Sequence, residues 1–233
     1  MAELGVKLNY GNKDFKLYVY PEMRTNKKTG KKEPVDSISR RIWENKQFYE
    51  IDKIEDYLKF MNNDAVVFDC GANIGNHSVF WGAHCKEVHA FEAFPSNYKL
   101  LKRNMKENNI AGQAYRVLLG NSPGKYKVVT TEVSRGATCF EPDPNGEYTS
   151  MRLDDVVDES VRPTFVKIDV EGDELELLKG ASRILEESHP VLWIEIHYFY
   201  HDDMDDQVLA ELSKYGYKEG VDVFLTRRTK KKK

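Results

Sequence analysis

The sequence has few cysteines and no long hydrophobic run. Its three cysteines, Cys70, Cys85 and Cys139, are odd in number and show no paired spacing. This argues against a disulfide framework and against a zinc site, and it predicts reduced thiols in a cytoplasmic compartment. No run of about 18 apolar residues occurs, so we expect no membrane-spanning helix and no membrane partner. The first residues, MAELGVKLNYGNKD, contain no apolar core, so we expect no secretory signal.

The sequence also lacks a strong net charge and any internal repeat. The formal charge is −3 at pH 7 over 233 residues, which excludes an overall attraction to nucleic acid. Hydrophobic residues make up 40% and charged residues 31%, as in an ordinary globular protein rather than a disordered or fibrous one. A chain of this length can bury a large core without disulfides or a structural metal.

A change of pattern near residue 63 predicts two parts within a single folding unit. Residues 1–62 are polar and rich in lysine, with an alternating aromatic run at 15–20 that predicts a strand. We interpret these residues as a small N-terminal cap. Residues 63–233 carry alternating strand and helix patterns, and we expect them to form the main domain.

The main domain shows repeated strand–helix units, which are typical of a parallel sheet. Strands are predicted at 65–69, 87–92, 113–119, 164–169 and 191–198, and helices at 77–84, 95–108, 173–185 and 205–215. Residues 120–157 predict a β-hairpin insertion, and residues 217–227 predict two short strands antiparallel to each other. The fold class is therefore α/β: a doubly wound, mostly parallel, Rossmann-like sheet about seven strands wide, with helices on both faces. Such sheets bind ligands at the carboxyl ends of their strands, where the strand order reverses.

The densest motif, DCGANIGNHS at residues 69–78, stands where the first strand of the main domain meets its first helix. Gly71 and Gly75 let a ligand approach the backbone, and the helix N-terminus behind them suits a carboxylate or a phosphate. Glu92 ends the next strand, where an acid accepts hydrogen bonds from a ribose diol. The spacing is not the dinucleotide pattern G-x-G-x-x-G, and Asp69 disfavours a pyrophosphate but suits an amine. S-adenosylmethionine, with its amino group, carboxylate and ribose, fits these residues together.

Four sequence blocks resemble the FkbM family of class I methyltransferases. They are VVFDCGANIGNHSVF, VHAFEAFPSNYKLLKRNMKENN, FVKIDVEGDELELLKGASRIL and PVLWIEIH, in that order between residues 64 and 197. The resemblance implies S-adenosylmethionine as cofactor and methyl transfer, usually to a hydroxyl oxygen of a sugar or a polyketide-type product. It places the cofactor on Asp69, Gly71, Asn73, Gly75 and Glu92, and Ala72 and Asn76 of the same loop complete the predicted set. Asn121 takes the position of the family's usual Asp beside the adenine amino group.

Acids and a histidine at the ends of the fourth and fifth parallel strands are the catalytic candidates. Asp169 follows its strand directly and Glu171 comes one short turn later, while Glu195 and His197 share one face of the next strand. His197 has the ordinary pKa nearest neutral and is the better general base on chemistry, whereas Asp169 is the better candidate on position. Glu171 is the third candidate, unless it serves only as an acid at a helix N-terminus. A divalent ion on Asp169 with Glu195 or His197 is chemically feasible, but no tight ligand spacing supports it, so we predict no metal site.

The acceptor of the methyl group is the least specified part of the interpretation. We predict O-methylation of a hydroxyl of a carbohydrate, a glycoconjugate or a related metabolite. An RNA methyltransferase is the first alternative, because basic residues cluster at 27–32 and 227–233, although such segments are most often only solvated. A protein that binds S-adenosylmethionine without turning it over is the second alternative.

Overall fold

The computed structural model describes residues 4–130, 138–198 and 202–228. Its strands, in chain order, are β1 (Leu4–Tyr10), β2 (Lys13–Val19), β3 (Met23–Thr25), β4 (Lys32–Pro34), β5 (Val66–Cys70), β6 (Glu87–Glu92), β7 (Gly112–Arg116), β8 (Leu118–Leu119), β9 (Lys125–Thr130), β10 (Thr138–Pro142), β11 (Tyr148–Met151), β12 (Phe165–Ile168), β13 (Val191–Ile196) and β14 (Val223–Arg227). Its helices are α1 (Ser37–Asn45), α2 (Ile51–Asp56), α3 (Asn76–Gly82), α4 (Pro95–Glu107), α5 (Leu153–Val156), α6 (Glu174–Lys179), α7 (Ser182–Ser188) and α8 (Met204–Ser213), and a short 3₁₀ turn covers Tyr57–Phe60. Within these ranges, no helix has both the length and the apolar character needed to pass through a membrane.

Six parallel strands form the central sheet, in the order β14-β13-β12-β5-β6-β7. The strand order reverses between β5 and β12, so the crevice expected for a ligand opens at the carboxyl ends of these two strands. All five residues of β5 are buried, as expected for a central parallel strand that is covered on both faces. The predicted mostly parallel α/β sheet is therefore confirmed.

The described residues contain six strands in this sheet rather than the predicted seven, and the antiparallel pair predicted at 217–227 is wrong. β14 alone follows α8, and it runs parallel to β13. The segment before it forms a turn, in which the Asp222 carboxylate accepts a hydrogen bond from the Lys218 N–H and Gly220 donates to the Val223 carbonyl. Because these bonds close the chain on itself, the segment cannot extend as a strand.

Two predicted elements are each divided into two. The helix predicted at 173–185 is interrupted at Gly180, where a Cβ atom would lie 2.1 Å from the carbonyl oxygen of Gly120. The junction of α6 and α7 therefore packs directly against the backbone at the start of the insertion. The strand predicted at 113–119 is divided because β7 pairs with β6, whereas β8 pairs with β11.

The insertion forms a second sheet of four strands, in the order β10-β9-β11-β8. β9 pairs antiparallel with both β10 and β11, which confirms the predicted hairpin. β8 pairs parallel with β11 and directly follows β7 in the chain. The insertion therefore begins at the edge strand of the central sheet.

The N-terminal residues pack against the central sheet. Leu17 of β2 belongs to the same buried hydrophobic cluster as Val67 of β5. Asn104 of α4, which has no exposed surface, accepts a hydrogen bond from the Tyr18 N–H and donates to the carbonyls of Tyr18 and Ile74. The single folding unit and the domain boundary at residue 62 both stay predictions.

Candidate functional site

The loop after β5 is shaped by two glycines that have no room for a side chain. Gly71 and Gly75 have φ angles of 76° and 86°, in the left-handed region that favours glycine. A Cβ atom on Gly71 would lie 1.8 Å from the carbonyl oxygen of Asp169, and one on Gly75 would lie 2.8 Å from the Leu101 side chain. The loop therefore lies directly against the carboxyl end of β12, and α3 begins behind it.

Glu92, at the end of β6, faces the same loop. Its Oε2 accepts a hydrogen bond from the Asn73 N–H (2.9 Å) and its Oε1 accepts one from the Phe94 N–H (2.7 Å). Burial raises the pKa of Glu92 to about 7, although these donors act in the opposite direction. The Asn97 side chain also hydrogen-bonds to Glu92, and a carboxylate offers about four lone pairs, so Glu92 can still accept a hydrogen bond from a ribose hydroxyl. Ala72, buried in the same loop, donates its N–H to the Phe91 carbonyl.

Asp69 is paired with a buried lysine that the sequence analysis missed. The Oδ2 of Asp69 accepts a hydrogen bond from the Ser78 hydroxyl at 2.6 Å, and its Oδ1 lies 3.1 Å from Lys167 Nζ. Lys167 also donates to the Gly71 carbonyl at 3.0 Å and lies 3.4 Å from Asp169 Oδ2. Since Asp69 has no exposed surface, it supports the loop through Lys167, and direct contact between Asp69 and a cofactor stays a prediction.

Lys167 keeps its positive charge in this buried position. Burial acts to lower the pKa of a lysine, but the carboxylates of Asp69 and Asp169 outweigh that effect and raise the pKa of Lys167 above its ordinary value. One signal in the sequence could have identified this residue. Lys167 stands inside an apolar strand, two residues before Asp169 and therefore on the same face of the sheet.

The two predicted asparagines have different surroundings. Asn76 exchanges two hydrogen bonds with the backbone of Tyr49, each of 2.9 Å, and so ties the N-terminal part of the chain to the loop. Asn121 is half-buried soon after β8, and its Cα lies close to Gly180. These contacts do not test a role in cofactor binding, which stays a prediction for both asparagines.

The three predicted catalytic residues come together at the carboxyl ends of β12 and β13. His197 Nδ1 lies 2.8 Å from Glu174 Oε1, while its Nε2 lies 3.4 Å from Glu171 Oε2 and 3.8 Å from Asp169 Oδ1. His197 and Glu174 are 6% and 0% exposed. We call Asp169, Glu171, Glu174 and His197 the acid–histidine cluster. Through Asp169 the cluster borders both the buried lysine and the glycine loop.

The pKa values in the acid–histidine cluster depart from their ordinary values. Burial acts to lower the pKa of His197, but the hydrogen bond to Glu174 and the charge of Glu171 outweigh it and raise that pKa to about 9. Burial raises the pKa of Glu171 to about 7. Burial also acts to raise the pKa of Asp169, but Lys167 and His197 hold it below its ordinary value. His197 is therefore mostly protonated at neutral pH, which weakens the argument for it as a base that rested on its ordinary pKa.

Glu171 has an unusual backbone conformation. Its φ angle of 56° lies in the left-handed region, which is costly for a residue with a side chain. Its side chain is 19% exposed, whereas the Glu174 side chain is fully buried. A strained and partly exposed acid beside a histidine is an arrangement that occurs at functional sites.

Residues distant in sequence surround Glu195, the remaining acid of β13. The Arg228 guanidinium pairs with Glu195 and lies 3.4 Å from Glu50, and Lys53 pairs with Glu50 at 2.9 Å. His77 lies nearby, buried against the Trp193 ring, and burial lowers its pKa to about 4. The sequence analysis missed this group because its members come from opposite ends of the chain, so no local spacing connects them.

The chain is similar to known methyltransferases. A family model described as the methyltransferase FkbM domain matches residues 69–219. Hexuronic acid methyltransferase AglP of Haloferax volcanii is 31% identical over 152 residues, which cover 64% of this chain and 62% of that protein. Methyltransferase 1 of Beauveria bassiana is 25% identical over 227 residues, 85% of this chain and 78% of that protein. Among solved structures, the methyltransferase FkbM of Methylobacillus flagellatus KT is 21% identical, with a TM-score of 0.45 and coverage of 66% of this chain and 37% of that chain.

Proposed function

The chain belongs to the FkbM methyltransferase family, and from that premise we propose that it transfers a methyl group from S-adenosylmethionine to a hydroxyl oxygen of a carbohydrate or glycoconjugate. The observation that carries this proposal is the contact between the glycine loop and the acid–histidine cluster, in which the Gly71 backbone lies against Asp169. A cofactor held by the loop would have its methyl group close to ionisable side chains. Those side chains can receive the proton that an acceptor hydroxyl must lose.

The residues of the loop fit S-adenosylmethionine as cofactor. The absence of room for a side chain at Gly71 and Gly75 keeps the loop narrow, so a ligand can approach its backbone. Glu92 has an acceptor lone pair for a ribose hydroxyl, and its bond to the Asn73 N–H holds the loop against β6. We assign the ribose to Glu92, the methionyl group to residues 71–75 and the adenine amino group to Asn121.

The reaction itself is a direct displacement. The acceptor oxygen attacks the methyl carbon, a C–O bond forms while the C–S bond breaks, and S-adenosylhomocysteine leaves. Alignment of the two reactants can supply about 7–11 kcal/mol of the barrier reduction. The hydroxyl proton passes to a neighbouring base, which typically adds about 10²–10⁴-fold. We propose that Asp169, Glu171 and His197 face these reacting atoms.

The carbohydrate acceptor is supported by the name of one relative, the hexuronic acid methyltransferase. This chain aligns with 62% of that protein, so the acceptor class is a proposal for this chain. We also propose a cytoplasmic location, because Cys70, Cys85 and Cys139 are all free thiols, as in a reducing compartment. Residues 229–233, the end of the basic C-terminal cluster, lie outside the described residues, and we assign the cluster no nucleic-acid partner.

Transfer of labelled methyl from S-adenosylmethionine tests the proposed function. The purified chain is incubated with glycans that contain uronic acids, with neutral glycans, with RNA and with small hydroxylated metabolites. We expect label in a carbohydrate fraction and none in RNA. Label found only in RNA, with RNA binding that falls steeply as the salt concentration rises, would show that the acceptor is RNA and not a carbohydrate. Binding of S-adenosylmethionine without transfer to any acceptor would favour the non-catalytic alternative.

Replacement of Glu92 tests the assigned ribose contact. We expect Glu92→Ala to weaken S-adenosylmethionine binding by about 1–3 kcal/mol, because a charge-assisted hydrogen bond is lost. Calorimetric titration measures the effect. Glu107→Ala is the matched control, since Glu107 is an exposed acid of α4 that pairs with Lys16. Equal affinity in the wild type and in Glu92→Ala would reject the assignment.

A further inference from the structure

Three side chains at the carboxyl ends of β12 and β13 are arranged like the ligands of a metal ion. One ligand atom from each of Asp169, Glu195 and His197 lies within 4.8 Å of the other two. Two atoms bound to one ion at about 2.1 Å lie about 3.0 Å apart when they are neighbours and about 4.2 Å apart when they are opposite, so the three side chains would move together by about 1–2 Å to complete the set. We propose that these residues bind a divalent cation beside the cofactor loop. The sequence analysis predicted no metal site, because these ligands come from two separate strands and show no short spacing in the sequence.

The hydrogen bond at the far side of the imidazole supports this site. His197 Nδ1 lies 2.8 Å from Oε1 of Glu174, which has no exposed surface. Metal binding would release the proton from Nε2, because only a neutral imidazole is a ligand. The ring would then donate from Nδ1 to Glu174 and present its Nε2 lone pair on the opposite side, where Nε2 lies 3.8 Å from Asp169 Oδ1 and 3.4 Å from Glu171 Oε2. Metal-binding histidines almost always donate their other ring N–H to a carboxylate, a backbone carbonyl or a water, which fixes the ring and makes the metal-bound nitrogen a better ligand.

Glu195 supplies an independent observation. It is 1% exposed, its Oε2 accepts a hydrogen bond from Arg228 Nε at 2.6 Å, and its buried Oε1 has no hydrogen-bond partner among the described residues. Lys53 Nζ is 3.7 Å from this Oε1, beyond hydrogen-bond distance, and bonds to Glu50 at 2.9 Å. A buried carboxylate oxygen without a donor is costly, and a bound cation would satisfy it.

The charges around the site also favour a cation. The buried and half-buried carboxylates at these strand ends are those of Asp69, Asp169, Glu171, Glu174 and Glu195. The cationic groups in contact with them are Lys167, Arg228 and Lys53, together with the imidazole of His197. Negative groups therefore outnumber these positive groups. A divalent ion would reduce the repulsion between carboxylates that share a buried position.

The ligand set indicates the kind of ion. Carboxylate oxygens suit Mg²⁺ and Mn²⁺, while an imidazole suits the transition metals, so a set of two carboxylates and one histidine favours Mn²⁺ over Mg²⁺. If the proposed function holds, an ion here would act as a Lewis acid on the acceptor oxygen. The site itself does not depend on that function, because metal binding can be measured without cofactor or acceptor.

Electron paramagnetic resonance of added Mn²⁺ tests the site on the full chain after treatment with EDTA. We expect one Mn²⁺ bound per chain and nitrogen coupling from a histidine in the pulsed spectrum of the wild type. Asp169→Asn, Glu195→Gln and His197→Ala should each weaken binding at least about tenfold, and Glu174→Gln should weaken it by about 10- to 100-fold. His189→Ala is the matched control, because His189 is exposed and lies 3.2 Å from Asp222 at a different part of the fold.

Two results on the wild type alone would overturn the metal site. One is the absence of saturable Mn²⁺ binding to the folded wild type. The other is bound Mn²⁺ whose spectrum shows no nitrogen coupling. This measurement uses only the wild type, so it remains valid even if a substitution prevents folding. If all of the folded ligand variants bind Mn²⁺ with the affinity of the wild type, the ion binds elsewhere on the protein and the proposed site is wrong.

Discussion

Lys167→Met is expected to lower the free energy of unfolding by about 3–5 kcal/mol, because it leaves the Asp69 carboxylate buried without a cation. Asp69 has no exposed surface and Lys167 is 2% exposed, so water cannot replace the lost partner. The Ser78 hydroxyl would still donate to Asp69, but one neutral donor does not compensate a buried charge. Urea denaturation followed by circular dichroism measures the loss.

A double variant separates the charge effect from a simple packing defect. Lys167→Met combined with Asp69→Asn removes both charges of the pair, so we expect it to recover about 2 kcal/mol relative to Lys167→Met alone. Lys102→Met, at an exposed position of α4, is the control and should change stability by no more than about 0.5 kcal/mol. If Lys167→Met is as stable as Lys102→Met, the buried pair does not hold the loop.

Substitutions in the acid–histidine cluster are expected to separate turnover from cofactor binding. Among Asp169→Asn, Glu171→Gln and His197→Ala, at least one should lose about 10²-fold or more in turnover while it binds S-adenosylmethionine within about threefold of the wild type. The reason is that these side chains contact each other at the strand ends, whereas we propose that the cofactor is held by the glycine loop and Glu92. Steady-state kinetics and calorimetry on the same preparations measure the two quantities.

An exposed acid outside the acid–histidine cluster provides the control for these variants. Asp155→Asn changes an acid whose side chain is 60% exposed and should leave turnover within about twofold. Near-normal turnover in all three cluster variants would mean that the base lies elsewhere or that catalysis rests on alignment alone. Glu171 is not one of the three proposed metal ligands. If Glu171→Gln loses turnover but still binds Mn²⁺ as the wild type does, the loss is caused by impaired proton transfer and not by loss of the metal.

Local patterns predict most of the central sheet. Short apolar runs such as residues 65–69 are buried strands wherever helical segments separate them, and that alternation depends only on near neighbours in the sequence. The break at Gly180 and the turn at 217–222 escaped prediction for a different reason. They depend on the Gly120 backbone and on the bond between Asp222 and Lys218, which no periodicity shows.

The candidate site also contains some residues whose positions the sequence predicts and some pairings that it does not. Gly71, Glu92 and Asp169 could be predicted because parallel strands bring their carboxyl ends to one edge of the sheet. The pairing of Lys167 with Asp69 and of Arg228 with Glu195 could not, because each pair forms only after distant strands or chain segments meet. The pKa of His197 shows the consequence: its ordinary value suggested a neutral base, but the surrounding carboxylates raise it to about 9 against the effect of burial.

Calorimetric titration of S-adenosylmethionine into the full chain, with NAD in a parallel titration, tests the central claim most directly. In that account, the loop after β5 and the carboxyl ends of β12 and β13 form one binding site for S-adenosylmethionine. We predict saturable binding of S-adenosylmethionine and of S-adenosylhomocysteine with one molecule per chain, and no binding of NAD. Absence of heat with S-adenosylmethionine for the folded protein, or tighter binding of NAD, would contradict it.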